Sequence, residues 1–317
     1  MADRFEIPVV VNEFKRQLIT PRDRSQACPL SFGQELMWLL DQLTPGVSAY
    51  NVPRVLRIQG ALNVEALHRA LDEVLRRHDV LRTTYEAVDG LPVQVIAPPQ
   101  RTELNCLDLS NLPVAEREAE VQRLAIQYSD QGFDLCRDIP FRMAMLRLAE
   151  DEHVLILVSH HIASDGWSKG ILFRELEVLY GAFATGQQSP LPELPIQYAD
   201  FAVWQRGWLE GERYEKLLDY WKSQLSGAPD VLQLPLDFPR PEVPTGRGNR
   251  FHITLDRSLA DGLTELSRRE GVTLFMLGLA AFQTLMHRYS RQSDIVVGTP
   301  ISGRTHSQIE PLIGYFS

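Results

Sequence analysis

Residues 141–168, FRMAMLRLAEDEHVLILVSHHIASDGWS, carry the pattern that most directly predicts the fold. Apolar residues alternate in FRMAMLRL, AEDE is typical of a turn, and VLILV is typical of a buried strand, so the stretch predicts a β-hairpin. Two adjacent histidines, His160 and His161, follow the second strand, and Asp165 and Gly166 come shortly after. The pattern HHxxxDG is therefore predicted to lie in a loop that leaves a strand.

Amphipathic helices are predicted on both sides of this hairpin. SKGILFRELEVLYGAFATG places apolar residues on one face, with Ser168 as the N-cap and Gly186 as the stop. Earlier, residues 63–85 predict a helix that leads into a strand, with Asn63 as its cap. HHxxxDG is thus expected between a strand and a helix.

The composition changes near residue 187. Prolines become dense in SPLPELP (189–195), which indicates a crossing between two lobes. Beyond it, three elements are predicted, namely helices near 258–269 and 273–289, capped by Ser258 and Thr273, and a strand in DIVVG (294–298). The chain stops at LIGYFS before an amphipathic element is complete, so the second lobe is expected to be partial.

The overall composition narrows the class of protein. A chain of 317 residues with 44% hydrophobic content can bury a large core, and its 41 acidic and 32 basic residues include no basic stripe for nucleic acid. Cys28, Cys106 and Cys136 lack CxxC spacing, which favours reduced thiols in a cytoplasmic protein and no metal site. No apolar run is long enough for a membrane span or a signal peptide, so no membrane partner is expected.

Several common chemistries lack their motifs. The sequence contains no GxSxG, HExxH or GxGxxG, so hydrolase, zinc-protease and dehydrogenase hypotheses lose support. GTPISGRT (298–305) resembles a P-loop, but Arg304 replaces the lysine, and Pro311 and Gly314 interrupt the helix that must follow. A phosphate-binding loop is not expected there.

HHxxxDG itself favours acyl transfer. A histidine at a strand end can exchange a proton near neutral pH, and the alternative is a pair of core histidines beside an Asp-Gly turn. Asp165 can fix the loop by ion pairing or by accepting backbone N–H bonds, and Gly166 lets a substrate pass close to the backbone. Because no serine or cysteine nucleophile accompanies the motif, the pattern indicates direct attack of a substrate nucleophile on an activated acyl group.

Five stretches, in order, resemble the motifs of the condensation domains of non-ribosomal peptide synthetases. They are PLSFGQELMWLLDQLTPGVSAYNVP (29–53), RRHDVLRTTY (76–85), SHHIASDGWS (159–168), YADFAVWQ (198–205) and IGYFS (313–317). The opening motif is similar to that of domains joining two L-configured residues, the LCL subtype. The resemblance covers nearly the whole chain from residue 29.

This resemblance implies an α/β (α+β) fold with two chloramphenicol-acetyltransferase-like lobes in a V-shaped pseudodimer. We expect a linker at 1–29, an N-terminal lobe with HHxxxDG at 30–187, and a partial C-terminal lobe at 188–317. The implied activity is that of an acyltransferase, in which the amine of an acceptor aminoacyl carrier attacks a donor acyl-carrier thioester. No cofactor or metal is implied to bind directly, because substrates arrive on phosphopantetheine arms of upstream donor and downstream acceptor peptidyl carrier domains. An adjacent adenylation domain is also expected.

The resemblance also suggests residue roles. His161 faces the reacting amine, either to take its proton or to hold it in line, and His160 supports it by packing. Asp165 is assigned to architecture, because a carboxylate with an ordinary pKa of about 4 is a poor base for an amine. Arg304 is expected to pair with Asp165 and tie down the loop.

Other residues and functions remain open on the sequence. Arg82 is either an internal strut or a solvated strand residue, and Trp167 either contacts substrate or packs. Two rival functions are another HHxxxDG acyltransferase that uses coenzyme A and a non-catalytic platform that binds a carrier protein.

Overall fold

The computed structural model describes residues 17–242 and 251–317. These residues form two compact units, the first containing the described residues up to Arg213 together with Ile301–Ser317, the second those from Tyr214 to Pro300. The segment Ile301–Ser317 thus belongs to the unit that contains HHxxxDG, although the sequence suggested that it came from a second lobe. The lobe boundary near residue 187 and the V-shaped pseudodimer stay predictions.

The first unit mixes strands and helices, as predicted. In chain order its elements are β1 (Cys28–Pro29), α1 (Phe32–Leu43), β2 (Asn51–Gln59), α2 (Val64–Arg77), β3 (Thr83–Val88), β4 (Leu91–Ile96), β5 (Asn105–Asp108), α3 (Val114–Asp130), β6 (Phe141–Ala149), β7 (Glu152–His160), α4 (Gly166–Ala184) and α5 (Tyr198–Trp208). Its strands form two sheets, β1-β4-β3 and β2-β7-β6-β5.

The predicted hairpin is confirmed as β6 and β7, which pair antiparallel with Phe141 opposite Ser159. On its other edge β7 pairs antiparallel with β2, so that Asn51 lies opposite His160. A strand with a neighbour on each side and packing on both faces is apolar throughout, and the run Val154–Val158 is fully buried. The end of β7 is therefore a rigid base for the histidines.

Helix α2 also begins where the sequence predicts. The Asn63 side chain accepts a hydrogen bond from the Ala66 N–H at 3.0 Å, which satisfies a backbone donor of the first turn. The face predicted to be apolar is buried, namely Leu67, Leu71, Val74 and Leu75. Helix α2 packs against α4.

Helix α4 begins earlier than predicted. Its N-cap is Asp165, whose carboxylate accepts from the Ser168 N–H at 2.8 Å, so the assignment of Ser168 as the cap was wrong. Ser168 is instead the third residue of the helix, the position whose free N–H an N-cap side chain satisfies. Asp165 therefore ties the loop directly to the helix.

The second unit contains most of α6 (Glu212–Gln224), with α7 (Arg257–Arg269) and α8 (Leu274–Ser290). Thr273 caps α8 as predicted, whereas α7 is capped by Asp256 and not by Ser258. The strand predicted at 294–298 is wrong, since a strand requires a hydrogen-bonded neighbour and no described segment pairs with these residues.

The N-terminal linker predicted at 1–29 is described from residue 17 onward, and residues 1–16 lie outside the described residues. Ile19 is buried, and its backbone N–H and C=O both bond to the Gln308 side chain, at 3.0 and 2.9 Å. Its described part therefore packs on the first unit. Within residues 17–242 and 251–317, no helix has the length and apolar character needed to cross a membrane.

Candidate active site

The HHxxxDG residues lie in a strand-to-helix loop, as predicted. His160 is the last residue of β7, a 3₁₀ turn spans His161–Ala163, and Asp165 caps α4. Because β7 is a central strand and α4 packs on α2, both ends of this short loop are fixed by the core.

His160 is buried and fully engaged in packing. Its Nδ1 accepts a hydrogen bond from the Ile162 N–H at 3.1 Å, so the ring is neutral with its proton on Nε2. The ring packs edge-on to Phe133, with centroids 5.9 Å apart. Burial lowers the pKa of His160 to about 4, and the neighbouring His161 adds to this effect.

His161 is only partly buried and its ring nitrogens are uncommitted. Nδ1 is shielded from solvent and has no hydrogen-bond partner among the described residues. The ring lies edge-on to Tyr315, with centroids 5.2 Å apart and planes at 75°. Because Nδ1 is enclosed, Nε2 is the nitrogen left for a substrate.

Asp165 lies at the opposite extreme. Its side chain is 1% exposed and forms an ion pair with Arg304 at 3.2 Å. Beyond the N-cap bond, Oδ1 accepts from the Ser168 hydroxyl at 2.7 Å, and Oδ2 accepts from the Phe316 N–H at 3.2 Å. The carboxylate therefore holds the start of α4 and the C-terminal segment together.

Arg304 links Asp165 to the backbone of the C-terminal segment. One guanidinium nitrogen, Nη2, donates to Asp165, while Nη1 donates to the carbonyl oxygens of Ile309 at 2.6 Å and Leu312 at 2.8 Å. Burial lowers the pKa of Arg304, and the Asp165 charge opposes this shift. The structure thus contains the contact between Arg304 and Asp165 that the sequence suggested, within one compact unit.

Close backbone packing fixes the C-terminal segment against the loop. Gly303 has φ of 62° and lies against the backbone of Phe316, where a Cβ would overlap the carbonyl group. Gly314 packs on the ring of Tyr198, also without space for a Cβ. The Tyr198 hydroxyl donates to the Tyr315 carbonyl oxygen at 2.5 Å.

A buried charged cluster supports this segment from the other side. Glu175 on α4 accepts hydrogen bonds from Arg77 at 3.1 Å and His78 at 3.0 Å, and the Ile313 N–H donates to Nδ1 of His78 at 3.3 Å. Burial raises the pKa of Glu175, but the hydrogen bonds from His78 and Arg77 outweigh it, and the pKa is lowered. The cluster connects α2, α4 and the C-terminal segment.

The other predicted site residues have different surroundings. Arg82 donates to the carbonyl oxygens of Leu75 and Ala97 and to Asp79, which are the contacts of an internal strut. The Trp167 ring is half-exposed, and its Nε1–H donates to the Glu310 carbonyl oxygen at 3.1 Å.

Gly166 is exposed, and a Cβ built on it meets no atom within 4 Å. The packing of this chain therefore does not require glycine at that position.

Several contacts at the site were not predicted from the sequence. The Ser168 hydroxyl, Tyr198, Gly314 and Tyr315 all contribute to the fixed loop. All four lie inside the stretches SHHIASDGWS, YADFAVWQ and IGYFS, so the motifs marked them without indicating that they meet. Within residues 17–242 and 251–317, no three His, Cys, Asp or Glu side chains form a group able to hold a metal ion.

Comparison with solved structures places this architecture among condensation domains. The first condensation domain of the CDA synthetase matches with a TM-score of 0.72 at 22% identity, covering 92% of this chain and 69% of that chain, which shows the shared fold. The X-domain from teicoplanin biosynthesis, solved in complex with OxyB, matches with a TM-score of 0.83 at 31% identity, covering 95% of this chain and 66% of that chain.

The sequence comparisons identify the family. The condensation-domain family model matches residues 24–317, and the chain belongs to this family. A linear gramicidin synthase of Brevibacillus parabrevis is 48% identical over 314 residues, which cover 98% of this chain and 6% of that protein. The chain therefore spans a small part of the curated relative it matches.

Proposed function

We propose that this chain forms an amide bond between two substrates that are carried as thioesters on phosphopantetheine arms. Membership of the condensation-domain family supports the reaction class. The observation that carries the proposal is the contrast within HHxxxDG, where a tightly fixed loop presents His161 with no described hydrogen-bond partner on either ring nitrogen. A fixed but uncommitted histidine is suited to proton transfer with a substrate.

The reaction proceeds by direct attack. The acceptor amine nitrogen bonds to the carbonyl carbon of the donor thioester, and the carbonyl π electrons move to oxygen to give a tetrahedral oxyanion. His161 Nε2 takes the proton that the amine nitrogen loses. When the C=O bond forms again, the C–S bond breaks, and the departing thiolate takes the proton from His161 to become a thiol.

The remaining site residues hold this geometry. His160 stays neutral and packs beneath the loop, while Asp165 and Arg304 fix the loop to the C-terminal segment. Arg82 braces α2 against the turn before β3. Gly166 leaves space for a substrate arm, and Trp167, anchored through its indole N–H, offers a half-exposed ring beside it.

The partners follow from the same proposal. Upstream donor and downstream acceptor peptidyl carrier domains deliver the substrates, an adenylation domain adjoins, and the acceptor and donor residues are L-configured. We place the reaction in the cytoplasm.

His161→Ala in the native protein that carries this chain tests the proposed function. We expect dipeptidyl-thioester formation, followed by mass spectrometry with carrier domains loaded with a panel of L-aminoacyl groups, to fall by about 10²- to 10⁴-fold. Thermal stability should stay close to wild type, since no described residue bonds the His161 ring. His252→Ala, which alters an exposed histidine of the second unit, is the control. Product at the wild-type rate from folded His161→Ala would contradict the proposal.

A second candidate function is a binding platform for a partner protein. It is favoured by the likeness to the X-domain solved in complex with OxyB. In that case the wild-type chain would bind its partner without forming dipeptidyl product, and His161→Ala would leave binding unchanged.

A further inference from the structure

Tyr315 is a second uncommitted polar side chain beside His161. Its ring lies edge-on to the imidazole with centroids 5.2 Å apart, and no described residue forms a hydrogen bond with its hydroxyl. Tyr315 is partly buried and packs against the core. It is therefore held near the reacting group without a structural partner for its hydroxyl.

The backbone around Tyr315 is tightly fixed. The Tyr315 carbonyl oxygen accepts from the Tyr198 hydroxyl at 2.5 Å, and the neighbouring N–H groups of Gly314 and Phe316 donate to Ser168 Oγ at 3.1 Å and Asp165 Oδ2 at 3.2 Å. Hydrogen bonds on three successive residues leave this backbone little freedom. The ring is presented at a defined position.

Helix α1 fits this ring closely. A Cβ on Gly33 would lie 3.0 Å from both Cδ1 and Cε1 of Tyr315, so even a methyl group would force the ring to shift by a few tenths of an ångström. Gly33 therefore permits the ring position that is observed. It also offers a way to displace the ring without removing any of its atoms.

The hydroxyl is unusual on energetic grounds. A partly buried polar group without a partner lowers stability, and such departures from a well-satisfied interior concentrate at functional sites. Burial raises the pKa of Tyr315, and the phenol of Tyr50 and the carboxylate of Asp165 raise it further. The hydroxyl is therefore protonated at neutral pH and acts as a donor.

We propose that Tyr315 is a further catalytic residue whose hydroxyl donates a hydrogen bond to the carbonyl oxygen of the donor thioester. The bond strengthens as that oxygen becomes the oxyanion of the tetrahedral intermediate, which stabilises the transition state more than the bound thioester. The hydroxyl proton is not transferred, since His161 carries the proton from amine to thiolate. This inference rests on the proposed function.

Tyr315→Phe in the native protein tests the inference. Removal of one oxyanion donor typically lowers kcat by about 10²-fold or more, and we expect such a loss with KM and thermal stability nearly unchanged. Tyr128→Phe, which alters a tyrosine on α3, is the matched control. A kcat within twofold of wild type for Tyr315→Phe would overturn the inference.

Gly33→Ala separates a positioned hydroxyl from general packing. We expect kcat to fall several-fold in the wild type and to change little in the Tyr315→Phe background, because the displaced hydroxyl is then already absent. A merely structural role predicts equal effects in both backgrounds, and that result would overturn the inference.

An infrared measurement distinguishes this inference from the proposed function. With a carrier protein bearing a ¹³C-carbonyl aminoacyl thioester and no acceptor, Tyr315→Phe should shift the bound carbonyl stretch to higher frequency. That shift without any dipeptidyl product in the wild type would reject the proposed condensation but retain the contact. His161-dependent product without the shift and without a Tyr315 effect would reject the contact alone.

Discussion

The two ends of the loop from His160 to Gly166 differ sharply in how their polar atoms are satisfied. At one end, the Asp165 carboxylate accepts hydrogen bonds from Ser168, Arg304 and Phe316 and is almost fully buried. At the other end, no described residue bonds the ring of His161. The difference separates architecture from chemistry, since the satisfied end fixes a geometry that the unsatisfied end uses.

The two ends also differ in how far their contacts reach along the chain. Asp165 is held by Arg304, 139 residues away, so the loop is ordered only when the C-terminal segment packs on it. His160, by contrast, bonds to Ile162, two residues away. The loop therefore combines a local turn with a long-range anchor, and loss of the anchor should be the more damaging change.

The largest expected effect is that of Asp165→Ala. This change leaves the Arg304 guanidinium buried without its carboxylate, which typically costs about 3 to 5 kcal/mol. We expect a fall of that size in the free energy of unfolding, measured by denaturant titration, together with loss of condensation activity. Asp165→Asn should be milder, because its amide oxygen can still accept from the Ser168 N–H.

Asp256→Ala is a matched control for the helix cap alone. Asp256 bonds to the Leu259 N–H and the Ser258 hydroxyl just as Asp165 bonds to Ser168, but it is exposed. Its removal should lower stability much less. If Asp165→Ala proved as stable as wild type but inactive, a direct catalytic role would replace the architectural one.

Local elements of this site were predictable from the sequence because their signals are local. The β6–β7 hairpin follows from alternation and an acidic turn, and the position of HHxxxDG follows from the end of an apolar run. The cap of α4 was misassigned because Asp165 and Ser168 are both good capping residues. Only the backbone geometry decides between them.

Long-range contacts were predictable only in part. The pairing of Arg304 with Asp165 was suggested by complementary charge, which acts regardless of sequence separation. The packing of Gly314 on Tyr198 and of Tyr315 beside His161 depends on shape, which residue types alone do not encode. The strand predicted in DIVVG shows the same limit, because an apolar run becomes a strand only where another strand lies beside it.

A smaller effect is expected when acid challenges the packed end of the histidine pair. Above pH 6.5 His160 is neutral in the folded and the unfolded chain, so it adds no pH dependence there. Below it, the unfolded chain binds a proton that the folded chain, with a pKa of about 4, does not. Stability should therefore fall as the pH drops from 6.5 to about 4, by about 3 kcal/mol in total.

His160→Asn tests this pH dependence. An asparagine oxygen can accept from the Ile162 N–H but does not titrate, so the curve of unfolding free energy against pH should be flatter than that of wild type. Contributions from other titrating groups are common to both proteins and cancel in the difference. Parallel curves would show that His160 is not held neutral by burial.

The smallest expected effect on stability comes from Gly166→Ala, at the point where the two ends of the loop meet. A Cβ there has open space, and alanine is favoured over glycine in a helix, so stability should be unchanged or rise by up to about 0.5 kcal/mol. Condensation should nevertheless slow several-fold, because the added methyl group occupies space proposed for a substrate arm. Gly170→Ala is the matched control, since it lies on the same helix and its Cβ also meets open space. Equal activity of the two variants would show that no substrate passes close to Gly166, and the functional end of the loop would then be confined to His161 and its neighbours.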